Sequence, residues 1–240
     1  MWFLMIDMKK LVVSMLSEQS NSKDARIRIA KRIVKELHAG SVVNLGVGIP
    51  SLIQNYLKPD SHVYLQSENG LLGMGPTPPK DEIDMNLISA SKHPISLGIG
   101  SSLFSSADSF AMIRGGHVDI AVMGALQISE KGEIANWAVP GKDILGVGGA
   151  MDLVASAKKI IIATTHVTKD QTPKIIQKLT YPSSGTRAAN LIVTEKALFE
   201  VKDNTLLLKE IAEDSSLQEI KQLTEAHFII SDDLQTMKIN

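Results

Sequence analysis

The sequence predicts an α/β fold, an open and mostly parallel sheet with helices on both faces. Three observations lead there. Short apolar runs of strand length alternate with stretches of helical periodicity, glycine-rich turns join the two kinds, and no linker rich in Pro, Gly or Ser divides the chain. A strand, a helix and a second strand in succession need a crossover, which places the two strands parallel.

The elements follow in order. Residues 1–23 open on Met-Trp-Phe-Leu-Met-Ile, but Asp7, Lys9 and Lys10 interrupt the apolar run. That segment is too short and too charged to span a bilayer, and its charge order is wrong for a signal peptide. The polar Ser17–Asp24 that follows has little to bury, so 1–23 is expected to be an arm and 24–240 a single domain. From Ala25, the residues Ile29, Ala30, Ile33, Val34 and Leu37 share one helical face, with Asp24 as candidate cap and Gly40 as terminator. Val42–Leu45 reads as a buried strand that passes through Gly46-Val47-Gly48 into a helix starting near Pro50. A strand at 62–66 meets the turn dipeptide Asn69-Gly70, and Gly73, Gly75 and prolines 76, 78 and 79 stiffen the path beyond. Then come a helix from Ser106 to Arg114 ended by Gly115-Gly116, a strand at 118–123, a helix over about 150–158 and a strand at 160–164. Strands at 191–194, 197–201, 205–208 and 227–231 complete the set, with a helix at 217–225 whose capping box is Ser216 and Glu219.

Composition narrows the function. A chain of 240 residues, 44% hydrophobic, can bury a sizeable core. With a net charge of −1 and no Lys/Arg run beyond pairs, it offers no footprint for nucleic acid, so small molecules or proteins are the expected partners. The absence of cysteine removes disulfides, thiolate nucleophiles and Cys-type zinc sites, and it suits a reducing, cytoplasmic setting. The six histidines stand singly, without HxH or HxxxH spacing, so no metal site is expected.

Glu68 is the residue to explain. It ends an apolar strand and is followed at once by a turn, a corner where a rigid scaffold presents chemistry; taken alone it also reads as a solvated hairpin glutamate. Ligands in open α/β sheets bind at the carboxyl ends of strands, and two glycine-rich turns, at 44–50 and 146–152, are expected there. Both can offer backbone N–H groups to an anion, but neither has the GxGxxG spacing of a dinucleotide site, and no phosphate loop is present. Other polar residues have plain structural readings. Arg114 and Asp152 suit helix ends, Met74, Met112, Met123 and Met151 suit core filling, and His166 has no triad partner nearby in sequence.

Three stretches, NLGVGIP at 44–50, QSENGLLGMGP at 66–76, and SFAMIRGGHVD through ANW and PGK to GVGGAMDLV at 109–154, resemble the catalytic-subunit half of the class I CoA transferases. The resemblance covers roughly residues 25–230. It implies that Glu68 is the catalytic glutamate, carried through a glutamyl-CoA thioester, and that Gly149 donates its N–H to an oxyanion. It further implies that Asn44, Lys92, Asn136 and Gly148 bind substrate or CoA, that CoA and acyl-CoA are substrates without a resident cofactor, and that the partner is the transferase's separate alpha subunit. Lys92 also reads as a solvated loop lysine and Asn136 as a satisfied amide in a packed turn. Asp143-Ile144-Leu145 and Ala138-Val139 depart from the oxoacid enzymes, which leaves the acceptor open. Two other readings stand beside this one: a CoA- or sugar-phosphate-sensing regulator on the same scaffold and, more weakly, a sugar-phosphate isomerase.

Overall fold

The computed structural model describes residues 23–141 and 146–238. Helix α1 (23–34) is already formed at Lys23, so Asp24 lies within it and does not cap it. The rest of the expected arm, residues 1–22, lies outside the described residues.

A ten-stranded sheet carries the chain. At its centre, β1 (Val42–Leu45), β2 (Tyr64–Ser67), β5 (Ile120–Met123), β8 (Lys159–Ala163) and β10 (Leu191–Val193) run parallel in the order β10-β8-β5-β1-β2. Antiparallel extensions flank them. Strands β3 (Leu71–Met74) and β4 (Leu97–Leu103) continue one side, and β11 (Ala197–Lys202), β12 (Thr205–Ala212) and β13 (Phe228–Met237) the other. A small second sheet is formed by β6 (Gln127–Ser129), β7 (Ile134–Ala135) and β9 (Ile175–Ile176).

The strand pleat sorts side chains between two cores. In β8, Ile160 and Ile162 join a core with Ile113 of α2 (Ser106–Arg114), Leu153 of α3 (Ala150–Ser156) and Ile220 of α4 (Leu217–Leu223). The alternating Ile161 and Ala163 face the opposite core, shared with Ile29 and Ile33 of α1. This explains the continuous apolar runs in the central strands, which are covered on both faces. Burying each of these isoleucines is worth about 1.5–3 kcal/mol. The predicted helix ends hold at Ser105, whose Oγ accepts the Asp108 N–H, and at Ser216, whose Oγ accepts the Glu219 N–H.

Two stretches differ from the expectation. The helix expected near Pro50 is a six-residue 3-10 turn, Pro50–Asn55, entered from Gly48 at φ 92° with no side-chain cap. The stiff path after Gly70 is a pair of antiparallel strands, β3 and β4, and Glu68 therefore sits at the head of a hairpin. Gly70 is required there twice over. Its φ is 109°, and a Cβ would stand 1.9 Å from the carbonyl oxygen of Phe104, the residue whose N–H bonds back to the Gly70 carbonyl at 2.9 Å.

His166, which follows β8, is a fully buried structural residue. Its ring nitrogens meet the Thr194 and Thr224 hydroxyls at 3.0 and 2.9 Å. Burial, reinforced by Lys196, pushes the imidazole down from 6.5 to about 4. The folded chain keeps this ring neutral while the unfolded chain takes up the proton first. Its contribution is therefore complete above about pH 6.5 and is lost as the pH falls toward 4, to the extent of about 3 kcal/mol. Melting temperatures at pH 7 and pH 4.5 should converge for wild type and His166→Asn as the medium is acidified. An equal loss in both proteins would remove His166 from the acid sensitivity.

Candidate active site

The site grows out of the β1–β2 register. Asn44 lies beside Gln66, and their neighbours Val43, Leu45 and Leu65 enter the α1-side core. Period-two alternation therefore turns Asn44 and Gln66 toward α2 and α3, and both are fully buried. Glu68, two residues beyond Gln66, emerges half-buried at the carboxyl end of the sheet.

The polar side chains form a line. Ser109 Oγ of α2 accepts from Gln66 Nε2 at 2.7 Å, and Gln66 Oε1 accepts from Asn44 Nδ2 at 2.6 Å. Asn44 Nδ2 also donates to Glu68 Oε2 at 3.2 Å. The residues flanking Glu68 are fixed as well, because Ser67 Oγ accepts the Ala90 N–H and Asn69 Nδ2 donates to the Ile88 carbonyl. Glu68 is thus held on a firm corner with one oxygen hydrogen-bonded and the other turned toward Gly149.

Gly149 precedes α3 with ordinary torsions, φ −78° and ψ 0°. A Cβ added there would stand 3.1 Å from Phe110 Cε1 and Cζ and 3.5 Å from Glu68 Oε1. Close approach to the Phe110 ring and to the carboxylate, and not an unusual φ, is what favours glycine. The left-handed conformation belongs to Gly148, at φ 57°. Arg114 and Asp152, read from sequence as helix-end charges, pair with each other at 2.8 Å and tie α2 to α3. The Arg114 guanidinium also lies 5.5 Å from the Phe110 ring centroid. An ion pair this exposed adds little stability, but it joins the two helices whose residues Phe110 and Gly149 meet at the site.

Comparison with known proteins bears on the reading of this geometry. Residues 26–223 match the sequence model of the family described as Coenzyme A transferase. The chain belongs to the coenzyme A transferase family. It is 45% identical over 223 residues to the mitochondrial succinyl-CoA:3-ketoacid coenzyme A transferase 2 of Homo sapiens, an alignment covering 92% of this chain and 43% of that protein. The chain therefore spans less than half the length of that relative. It is 44% identical over 215 residues to the acetate CoA-transferase subunit beta of Escherichia coli, covering 90% of this chain and 98% of that one. An acyl-CoA transferase apoenzyme from Escherichia coli O157:H7 has the same fold, with a TM-score of 0.73 at 23% identity over 90% of this chain and 43% of that one.

Within this coenzyme A transferase chain, Glu68, Asn44 and Gly149 come together and Gly148 adjoins them. Lys92 and Asn136 are placed differently. Lys92 is exposed at φ 61°, and its N–H closes a turn on the Ser89 carbonyl. That turn reaches the site only through Ala90 and Ser67. Asn136 Oδ1 accepts from Ser184 Oγ at 2.6 Å, a satisfied amide in a packed turn. Gln66, Ser109 and Phe110 are part of the site without having been singled out from sequence. Polar Asn44 and Gln66 at matching places in two buried strands were the available signal. No described helix is long and apolar enough to cross a membrane.

Proposed function

We propose that this chain is the unit of a CoA transferase that carries the covalent intermediate, and that it moves CoA from an acyl-CoA donor to a short-chain or 3-oxo acid. One observation carries the proposal: Glu68 Oε2 accepts a hydrogen bond from Asn44 while Oε1 faces the glycine at the start of α3. In this reading Glu68 Oε1 attacks the acyl-CoA carbonyl, and the carbonyl π electrons move onto oxygen. Collapse expels CoA thiolate and leaves a mixed anhydride between the acyl group and Glu68. The thiolate then attacks the Glu68 carbonyl and expels the donor's carboxylate, so CoA rests on the enzyme as a thioester. The acceptor acid reverses the sequence. A carboxylate suits this task, since a serine nucleophile would retain the acyl group instead. Each attack creates an oxyanion, and the Gly149 N–H is the donor we assign to it, a contribution of about 3–4 kcal/mol.

The partner belongs to the same proposal. Relatives of this length are named as beta subunits, and the human relative is more than twice as long. Edge strand β4 exposes Leu97, Ile99 and Leu103, and it adjoins the Glu68 hairpin through the Phe104–Gly70 bond. We therefore assign the alpha subunit to this side and place the pair in the cytoplasm. The chain alone should be nearly inactive with succinyl-CoA and a 3-oxo acid, or with acetyl-CoA and a short-chain acid, and co-expression with its alpha subunit should produce transfer. Full activity from the single chain would refute the need for a partner. No transfer from the pair with either substrate set would refute the function.

A further inference from the structure

We infer that Gln66 and Ser109 are positioning residues that lock the Asn44 carboxamide with its N–H on Glu68, an inference that rests on the transfer reading above. The direction of each amide in the line is determined by the next group. Ser109 Oγ lies 3.4 Å from the Ser67 carbonyl, which can only accept, so the hydroxyl proton goes there and a lone pair is left for Gln66. Gln66 must then present Nε2 to Ser109 and Oε1 to Asn44. Asn44 in turn must present Nδ2, because the reversed amide would set two oxygens 2.6 Å apart. A proton orientation chosen on α2 thus arrives at the nucleophile through two fully buried side chains.

The arrangement is not one that stability alone would select. With Nδ2 directed to Gln66 and Glu68, Asn44 Oδ1 is left buried without a hydrogen-bond partner. A buried acceptor without a donor is destabilising and uncommon, and it points to a constraint other than folding. An apolar pair at 44 and 66 would avoid it. What the orphaned oxygen accompanies is a fixed N–H on one Glu68 oxygen, which leaves Oε1 alone to face Gly149 and the reacting carbonyl. The line acts on Glu68 geometry, so its loss should slow formation of the enzyme-CoA thioester and leave acyl-CoA binding almost unchanged.

The test uses the complete two-subunit enzyme and reads single-turnover thioester formation, the KM for acyl-CoA and the melting temperature. Thr and Val have the same shape, so comparing Ser109→Thr with Ser109→Val isolates the hydroxyl from packing strain. Ser109→Thr should form thioester about tenfold or more faster than Ser109→Val, with similar KM and similar melting temperature. Gln66→Met, which keeps the chain length but removes both amide groups, should lose at least as much rate without a matching loss of stability. Gln66→Met also keeps the proposal falsifiable if the Ser109 variants do not fold. Equal rates in the Thr and Val variants, or a Gln66→Met enzyme as fast as wild type, would overturn the inference while the transfer reading stood. A wild-type enzyme that never forms thioester would overturn the transfer reading itself.

Discussion

Replacing Glu68 by alanine should abolish CoA transfer in a protein that still folds. The side chain is half-buried at a hairpin head, and its only described hydrogen bond is to Asn44. The hairpin is held by backbone contacts that alanine keeps, the Gly70 N–H to the Ser67 carbonyl and the Phe104 N–H to the Gly70 carbonyl. No neighbouring group can take the place of a missing carrier in a ping-pong cycle, so the loss should reach the limit of detection. Glu68→Asp moves the carboxylate back by one methylene, and a misplacement of about 1 Å can cost about a hundredfold. Turnover with the alpha subunit present, beside circular dichroism, checks both. An alanine variant within tenfold of wild type would leave Glu68 as an ordinary corner glutamate.

Gly149→Val should lower turnover about a hundredfold or more, with the fold retained. The reason lies in space and not in torsion. At φ −78° a valine backbone is acceptable, but its Cβ would begin 3.1 Å from the Phe110 ring and send its methyl groups toward that ring and Glu68 Oε1. Either Phe110 yields or the start of α3 retreats, and the N–H assigned to the oxyanion moves with it. Gly149→Ala should show a smaller loss of the same kind. Gly148→Ala is the contrasting case, because a residue at φ 57° bears a conformational cost of about 1–2 kcal/mol wherever its Cβ points. That variant should lose stability first. Unchanged turnover in folded Gly149→Val would remove Gly149 from the oxyanion site.

The parallel centre of the sheet was legible because its signals are local. Val42–Leu45 and Lys159–Ala163 are apolar runs of strand length, and Ser105 and Ser216 cap their helices by contacts three residues away. The β3–β4 extension was not, because its strands are interrupted by Gly73, Gly98 and Gly100, and β4 is exposed along most of its length, so no period-two pattern marks it. Glu68 could be singled out from its place between a strand and a turn. What holds Glu68 could not, since Gln66 and Ser109 stand 43 residues apart and meet only when α2 folds back over β2. The reason for glycine at 149 depends on Phe110, on another helix, and a sequence does not show which side chain will arrive there.

The most direct test of the account is to trap the intermediate. With the alpha subunit present and acyl-CoA supplied without an acceptor acid, CoA should accumulate on one side chain, and borohydride should reduce that thioester to an alcohol and inactivate the enzyme permanently. Peptide mass mapping is then expected to place the change on Glu68 and on no other residue, and Glu68→Ala should give no adduct. An enzyme that transfers CoA yet is never trapped, or an adduct that maps to a different residue, would contradict the assignment of Glu68 as the carrier.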